Sequence, residues 1–247
     1  MNIPADDPRA VALAKAVRGG DVAALQRQLR ETPELATARI VDAKGVGRTL
    51  LHVAADWPGH FPNGAATIAA LIAAGADPDA ALVSAGPHGA PETPLHWAAS
   101  NDDVAVLDAL LDAGADIEAP GAVFTGGPPM SDAVVFAQWK AARRLLERGA
   151  TTTIWQAAAL GLVDRVSELC ATEPIPSALD ITNAFWNACR GAQRSTATYL
   201  LDRGADPRWI GHDRKTPLDV AQESGDEAFV AWLRERDVRA PRDVPNG

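Results

Sequence analysis

Lysine is scarce in this chain, confined to Lys15, Lys44, Lys140 and Lys215, and the net charge is −9. Nucleic acid is held by clustered lysine and arginine, so this balance argues against a nucleic-acid partner. Cysteine is nearly absent as well. Cys170 and Cys189 both fall on apolar helical patterns and read as reduced, buried thiols of a cytoplasmic protein rather than a disulfide. No run approaches the roughly 20 apolar residues of a membrane helix. The opening MNIPADDPRA, with two acids and no apolar core, does not read as a secretory signal. Zinc-ligand spacings, G-x-S-x-G and a Cys/His pairing are all missing, so neither a metal, a cofactor nor a catalytic nucleophile is expected.

What is present is self-similarity. TLLHVAA at Thr49–Ala55, TPLHWAAS at Thr93–Ser100 and TPLDVA at Thr216–Ala221 repeat one phrase. ALIAAGADPDA (Ala70–Ala80), ALLDAGADIEA (Ala109–Ala119), RLLERGATTT (Arg144–Thr153) and YLLDRGADPRW (Tyr199–Trp209) repeat another. Each phrase has a physical task. Thr93 can cap a helix start, and Pro94 at the first helical position loses nothing by lacking an N–H. Leu95 supplies core, the alanine pair lets two helices approach closely, and Gly114 can end the second helix in a left-handed conformation.

Phrases recurring at thirty-odd residues signal stacked helix pairs, and these residues resemble the ankyrin repeat family over nearly the whole chain. The resemblance implies an all-α solenoid of about seven helix-turn-helix units joined by short hairpin-like loops, as one domain over 1–239. Its units are an N-terminal cap at 8–40, then 41–79, 80–119, 120–150, 151–177 and 178–206, and a C-terminal cap at 207–239. Residues 240–247 read as a disordered tail. The resemblance also makes His96 a structural residue, bonding the turn and linking neighbouring repeats. Ser131 stands in its place in the fourth unit, and Trp155 and Trp186 in the fifth and sixth.

In such an architecture function lies in the departures from pattern. The family's recognition surface comprises the loop tips and the two residues after the alanine pair on the first helix. Those pairs are Arg18 and Gly19, Asp56 and Trp57, Ser100 and Asn101, Val135 and Phe136, Ala159 and Leu160, and Arg190 and Gly191. They predict a groove apolar in the middle and polar at its ends. The sharpest departure is DWPGHFPNG, Asp56–Gly64, where Pro58 and Pro62 prevent simple extension of the helix. It reads either as a stiff binding loop or as a plug, with Trp57 and Phe61 folded back on the first helices. His52, Asp56 and His60 are four apart, but Pro58 breaks the register a metal site would need. GAVFTGGPPM at Gly121–Met130 lacks the lysine and spacing of a phosphate loop and reads as a flexible finger with Phe124 at its tip.

The expected function is a monomeric, non-catalytic module binding an as yet unidentified protein. Trp57, Phe61, Phe124, Val135, Phe136 and Leu160 would be the anchors, and Asp56, His60, Asn101 and Arg190 the orienting rim. The alternative is an enzyme or small-molecule binder with a pocket between the 56–64 loop and units four to six. His60 with Asp56, or Asp132, would then do acid–base work. Asp132, Gln156 and Asn187 stand in the column of Trp97, where an unpartnered polar group costs about 1–3 kcal/mol.

Overall fold

The structure, a computed structural model, describes residues 1–84 and 90–239, with side chains to residue 236. The expected tail at 240–247 and part of the third unit's loop, 85–89, lie outside them. The described chain falls into two compact units, Met1–Thr151 and Thr152 onward.

The first unit holds four helix pairs: α1 (Pro8–Gly19) with α2 (Val22–Glu31), α3 (Leu50–Ala55) with α4 (Gly64–Ala73), α5 (Pro94–Ser100) with α6 (Val104–Asp112), and α7 (Pro129–Val135) with α8 (Trp139–Glu147). The helices stack in two rows. α1, α3, α5 and α7 contact one another in order along the inner row, as do α2, α4, α6 and α8 along the outer. Their starts follow the sequence. Pro8, Pro94 and Pro129 occupy first-turn positions, where a missing N–H costs nothing, and Asp7, Asp21, Thr49, Thr93 and Asp103 cap. Between the rows run fully buried leucines and isoleucines, among them Leu13, Leu25, Leu50, Ile68, Leu95, Leu107 and Leu110. Each contributes roughly 1.5–3 kcal/mol by leaving water. Because no helix is longer than 12 residues here, tertiary burial rather than intrinsic propensity holds them.

A small sheet accompanies this stack. Arg39–Val41 (β2) and Gly47–Thr49 (β3) form an antiparallel hairpin, as expected of the outward loops. Asn2–Pro4 (β1) adds in parallel to β2, giving the order β1-β2-β3, and buries Ile3 at 1% exposure. That strand was not foreseen, since three residues are too few to show an alternating pattern.

The second unit holds α9 (Ile154–Ala159), α10 (Val163–Ala171), α11 (Ala178–Arg190), α12 (Arg194–Leu201), α13 (Pro217–Glu223) and α14 (Glu227–Arg239). α11 contacts both α9 and α13 around a core of Phe185, Trp186, Ala188, Cys189, Leu200, Phe229 and Trp232. α11 is 13 residues long, whereas α5 and α7 have seven each, because Ser177 caps it nearly two turns early through a reciprocal bond with Asp180. Among the described residues both cysteines are free thiols. Cys189 is buried, which pushes its pKa well up, and Cys170 is half-buried.

Candidate functional site

The 56–64 segment leaves the stack as a loop that is pinned at several points. Asp103 caps α6 by accepting the Val106 N–H at 3.2 Å and uses its other oxygen to accept the His60 N–H at 2.6 Å. Asn63 donates its Nδ2 to the Gly20 carbonyl at 3.0 Å, and Asn101 donates to the Ala55 carbonyl at 2.8 Å. Gly59, at φ +73°, lies so close that a Cβ there would stand 3.0 Å from that of Asn101. Asn101 therefore builds the loop's seat, and it is only half-exposed.

Trp57 projects from this pinned loop with 79% of its surface exposed, so it does not plug the first helices. Phe61 is half-buried and His60 exposed. Asp56 sits in a chain of ion pairs. It accepts from Arg18 at 2.6 Å and lies 3.7 Å from Arg48, which also pairs with Asp42 at 3.2 Å.

The finger after Gly121 is cross-tied rather than loose. The Gly121 and Ala122 N–H groups both donate to the Gly127 carbonyl, at 3.0 and 2.9 Å. Phe124 at its tip is 72% exposed and meets Phe136 on the inner row, with ring centroids 5.9 Å apart. Phe136 keeps 41% of its surface, and Val135 is half-buried.

His52 and His96 have the structural role the repeats implied. In each, Nδ1 accepts from the N–H of the capping threonine, and Nε2 donates to a carbonyl of the next repeat: His52 to Glu92 at 3.0 Å, His96 to Gly127 at 3.2 Å. Burial holds His52 near pKa 4 and lowers that of His96. His52 is thus fully engaged and not a metal ligand. Among the described residues no three His, Cys, Asp or Glu side chains are grouped to hold a metal ion.

The Trp97 column holds the oddest group in the first unit. Asp132 is 1% exposed, and neither carboxylate oxygen has a hydrogen-bond partner. Burial first, and the neighbouring Glu92 charge second, push its pKa up to about 7; the nearby Val123 N–H opposes this without completing a hydrogen bond. Glu92 is raised too, by its own burial, against the Trp97 indole N–H. The acid–base groups considered from sequence are therefore differently employed: Asp56 serves an ion pair, His60 faces Asp103, and Asp132 is sealed.

In the second unit, Leu160 is 3% exposed and has no surface to offer as an anchor. Its backbone ends the six-residue α9, and the side chain packs inward. Arg190 is half-buried and lies over the Trp186 ring at 5.9 Å, its pKa lowered by burial. Asn187 donates to the Asn183 carbonyl at 2.9 Å. Gln156 accepts the Thr153 N–H at 2.8 Å, because α9 starts one residue late and the cap bond of His96 passes from Trp155 to its neighbour.

One feature escaped sequence reasoning. A cavity of about 450 Å³ opens between α1 and the β2–β3 hairpin, lined by Val11, Ala14, Lys15, Arg18, Asp42, Arg48 and others. Its only sequence trace is the spacing of residues 11, 14, 15 and 18 on one helix face.

Short helix pairs in two rows, tied by histidine-to-carbonyl bonds across successive outward loops, define a helical repeat architecture in the first unit. The profile of the ankyrin repeat matches residues 46–81 and 92–122, so those two stretches are ankyrin repeats. The chain's fold is similar to the human ASB11 ankyrin repeat domain, at 21% identity and TM-score 0.51, over 90% of this chain and 96% of that one. It is likewise similar to the ankyrin repeat domain of Bcl-3, a member of the IkappaB protein family, at 22% identity and TM-score 0.50, over 91% and 97%. No curated protein matches the chain. Ankyrin repeats generally mediate protein binding. Among the described residues no helix is long and apolar enough to cross a membrane.

Proposed function

We propose that the chain is a non-catalytic module that binds a protein partner through the inner face and loop tips of its first unit. The observation that carries this reading is the exposure of Trp57 and Phe124, at 79% and 72%, on loops whose backbones are fixed. A rigid loop holding a bare aromatic ring has prepaid the ordering entropy of binding, and such rings concentrate interface energy. Phe136 and the half-buried Phe61 and Val135 extend the apolar contact. Asp56, His60 and Asn101 supply the polar rim.

Affinity capture from the native host with the intact chain and with a Trp57→Ala, Phe124→Ala, Phe136→Ala variant tests this. All three rings are exposed, so the variant should keep the helical circular dichroism while losing the captured protein. Equal recovery by both would refute the anchors.

A further inference from the structure

The cavity beside α1 adjoins the 56–64 loop through the Arg18–Asp56 pair but has its own lining. Val11, Ala14, Lys15 and Arg18 line one side at spacings of three, four and seven, so the helix face runs from apolar to cationic within two turns. Ala10 and Val53, both nearly fully buried, form an apolar floor, and Arg48 closes the cationic end. Three cations thus face two carboxylates. Asp56 is claimed by Arg18 and Arg48, and Asp42 by Arg48. Among the described residues Lys15 has no carboxylate partner, leaving one positive charge in excess at the cavity mouth of a chain whose net charge is −9.

An apolar hollow of this volume with a few convergent charges has the make-up of a small-ligand site. From Val11 to Arg18 the helix rises about 10 Å. We propose that this cavity binds a carboxylate joined to a compact aliphatic body of about that length. The carboxylate would sit between Lys15 and the arginines, and the aliphatic part along Val11, Ala14 and Val53. The same chemistry comes from a free aliphatic acid or from a peptide with an acidic and an aliphatic residue three positions apart, which in extended form also spans about 10 Å. The inference stands whether or not the aromatic loops bind protein.

The test is a titration of the full chain, isotopically labelled, with octanoate, with octylammonium and with an end-blocked DAAL tetrapeptide, following backbone amide shifts. Octanoate or the peptide should shift the amides of residues 10–18 and 39–48 saturably. Octylammonium, with the same chain and opposite charge, should not. Lys15→Glu, at an exposed position, should weaken binding at least about five-fold, as the loss of one charge-assisted contact implies. Ala14→Phe, which fills the hollow, should abolish it. Response to octanoate alone assigns the site to a free acid, and response to the peptide alone to a partner segment. Equal response to octylammonium, indifference to Lys15→Glu in a folded variant, or no response to either carboxylate overturns the proposal.

Discussion

The Trp186 indole N–H donates to the Lys215 carbonyl at 2.9 Å, in the same column where His96 reaches Gly127 and His52 reaches Glu92. In all three the acceptor is the residue just before the next helix cap. The ring has changed, but the bond from one repeat to the next has not. That carbonyl also accepts the Gly211 N–H at 3.0 Å, so removing the indole donor does not orphan it. Trp186→Phe should therefore cost only about 1 kcal/mol, one net hydrogen bond. Trp186→Ala should cost about 3–5 kcal/mol through the cavity it leaves. Urea unfolding of the two variants checks the difference.

Asp132 and the column histidines pull stability in opposite directions with pH. The Asp132 pKa rises from 3.8 to about 7 on folding, so the folded state holds the extra proton and stability falls as pH climbs through that window. His52 drops from 6.5 to about 4, so the unfolded state holds the extra proton and stability grows between those values. In the intact chain the two slopes offset one another from about pH 4 to 6.5. Asp132→Asn should unmask the histidine rise and, at pH 8, stabilise by about 1–3 kcal/mol, the cost of an unpaired buried group. Thermal melts of both proteins at pH 5, 6.5 and 8 measure this.

Asp103 does two tasks with two oxygens. Asp103→Ala removes the cap of α6 and the anchor of His60, and should cost about 2 kcal/mol from the sum of a cap and a hydrogen bond. Hydrogen exchange should quicken first at the His60 and Val106 amides. Uniform exchange across the first unit would show that the clamp is not local.

Ala137 and Ala192 sit in left-handed backbone, at φ +57° and +54°, between an inner helix and its outer partner. The equivalent place carries Gly20 after α1 and Gly161 after α9. The left-handed form costs a non-glycine residue about 1–2 kcal/mol, and glycine adds about 0.5–1 kcal/mol of unfolded-state entropy. Ala137→Gly and Ala192→Gly should each stabilise by about 0.5 kcal/mol in chemical denaturation.

The helix pairs were legible because their determinants are local. Thr93, Pro94 and His96 set the start of α5 within four residues, and the alanine pair and glycine mark its packing and the end of its partner. The projection of Trp57 was only half-legible: Pro58 and Pro62 forced the chain out of the helix but could not say which way the ring would turn. That was decided by Asp103 and Gly20, some forty residues away on either side. Leu160 was misjudged because its column predicts exposure while its side chain packs inward at the end of a shortened α9. β1 and the cavity beside α1 had no readable signal, since three-residue pairing and an empty volume both arise from distant segments meeting.

The Asp103 carboxylate is a tether between a bare loop and an outer-row helix. A load placed on Trp57 reaches the His60 backbone three residues on, and from there a single side chain carries it to the first turn of α6. Whatever seizes the loop also grips the far layer of the stack, and the Val106 amide is the place to feel for it.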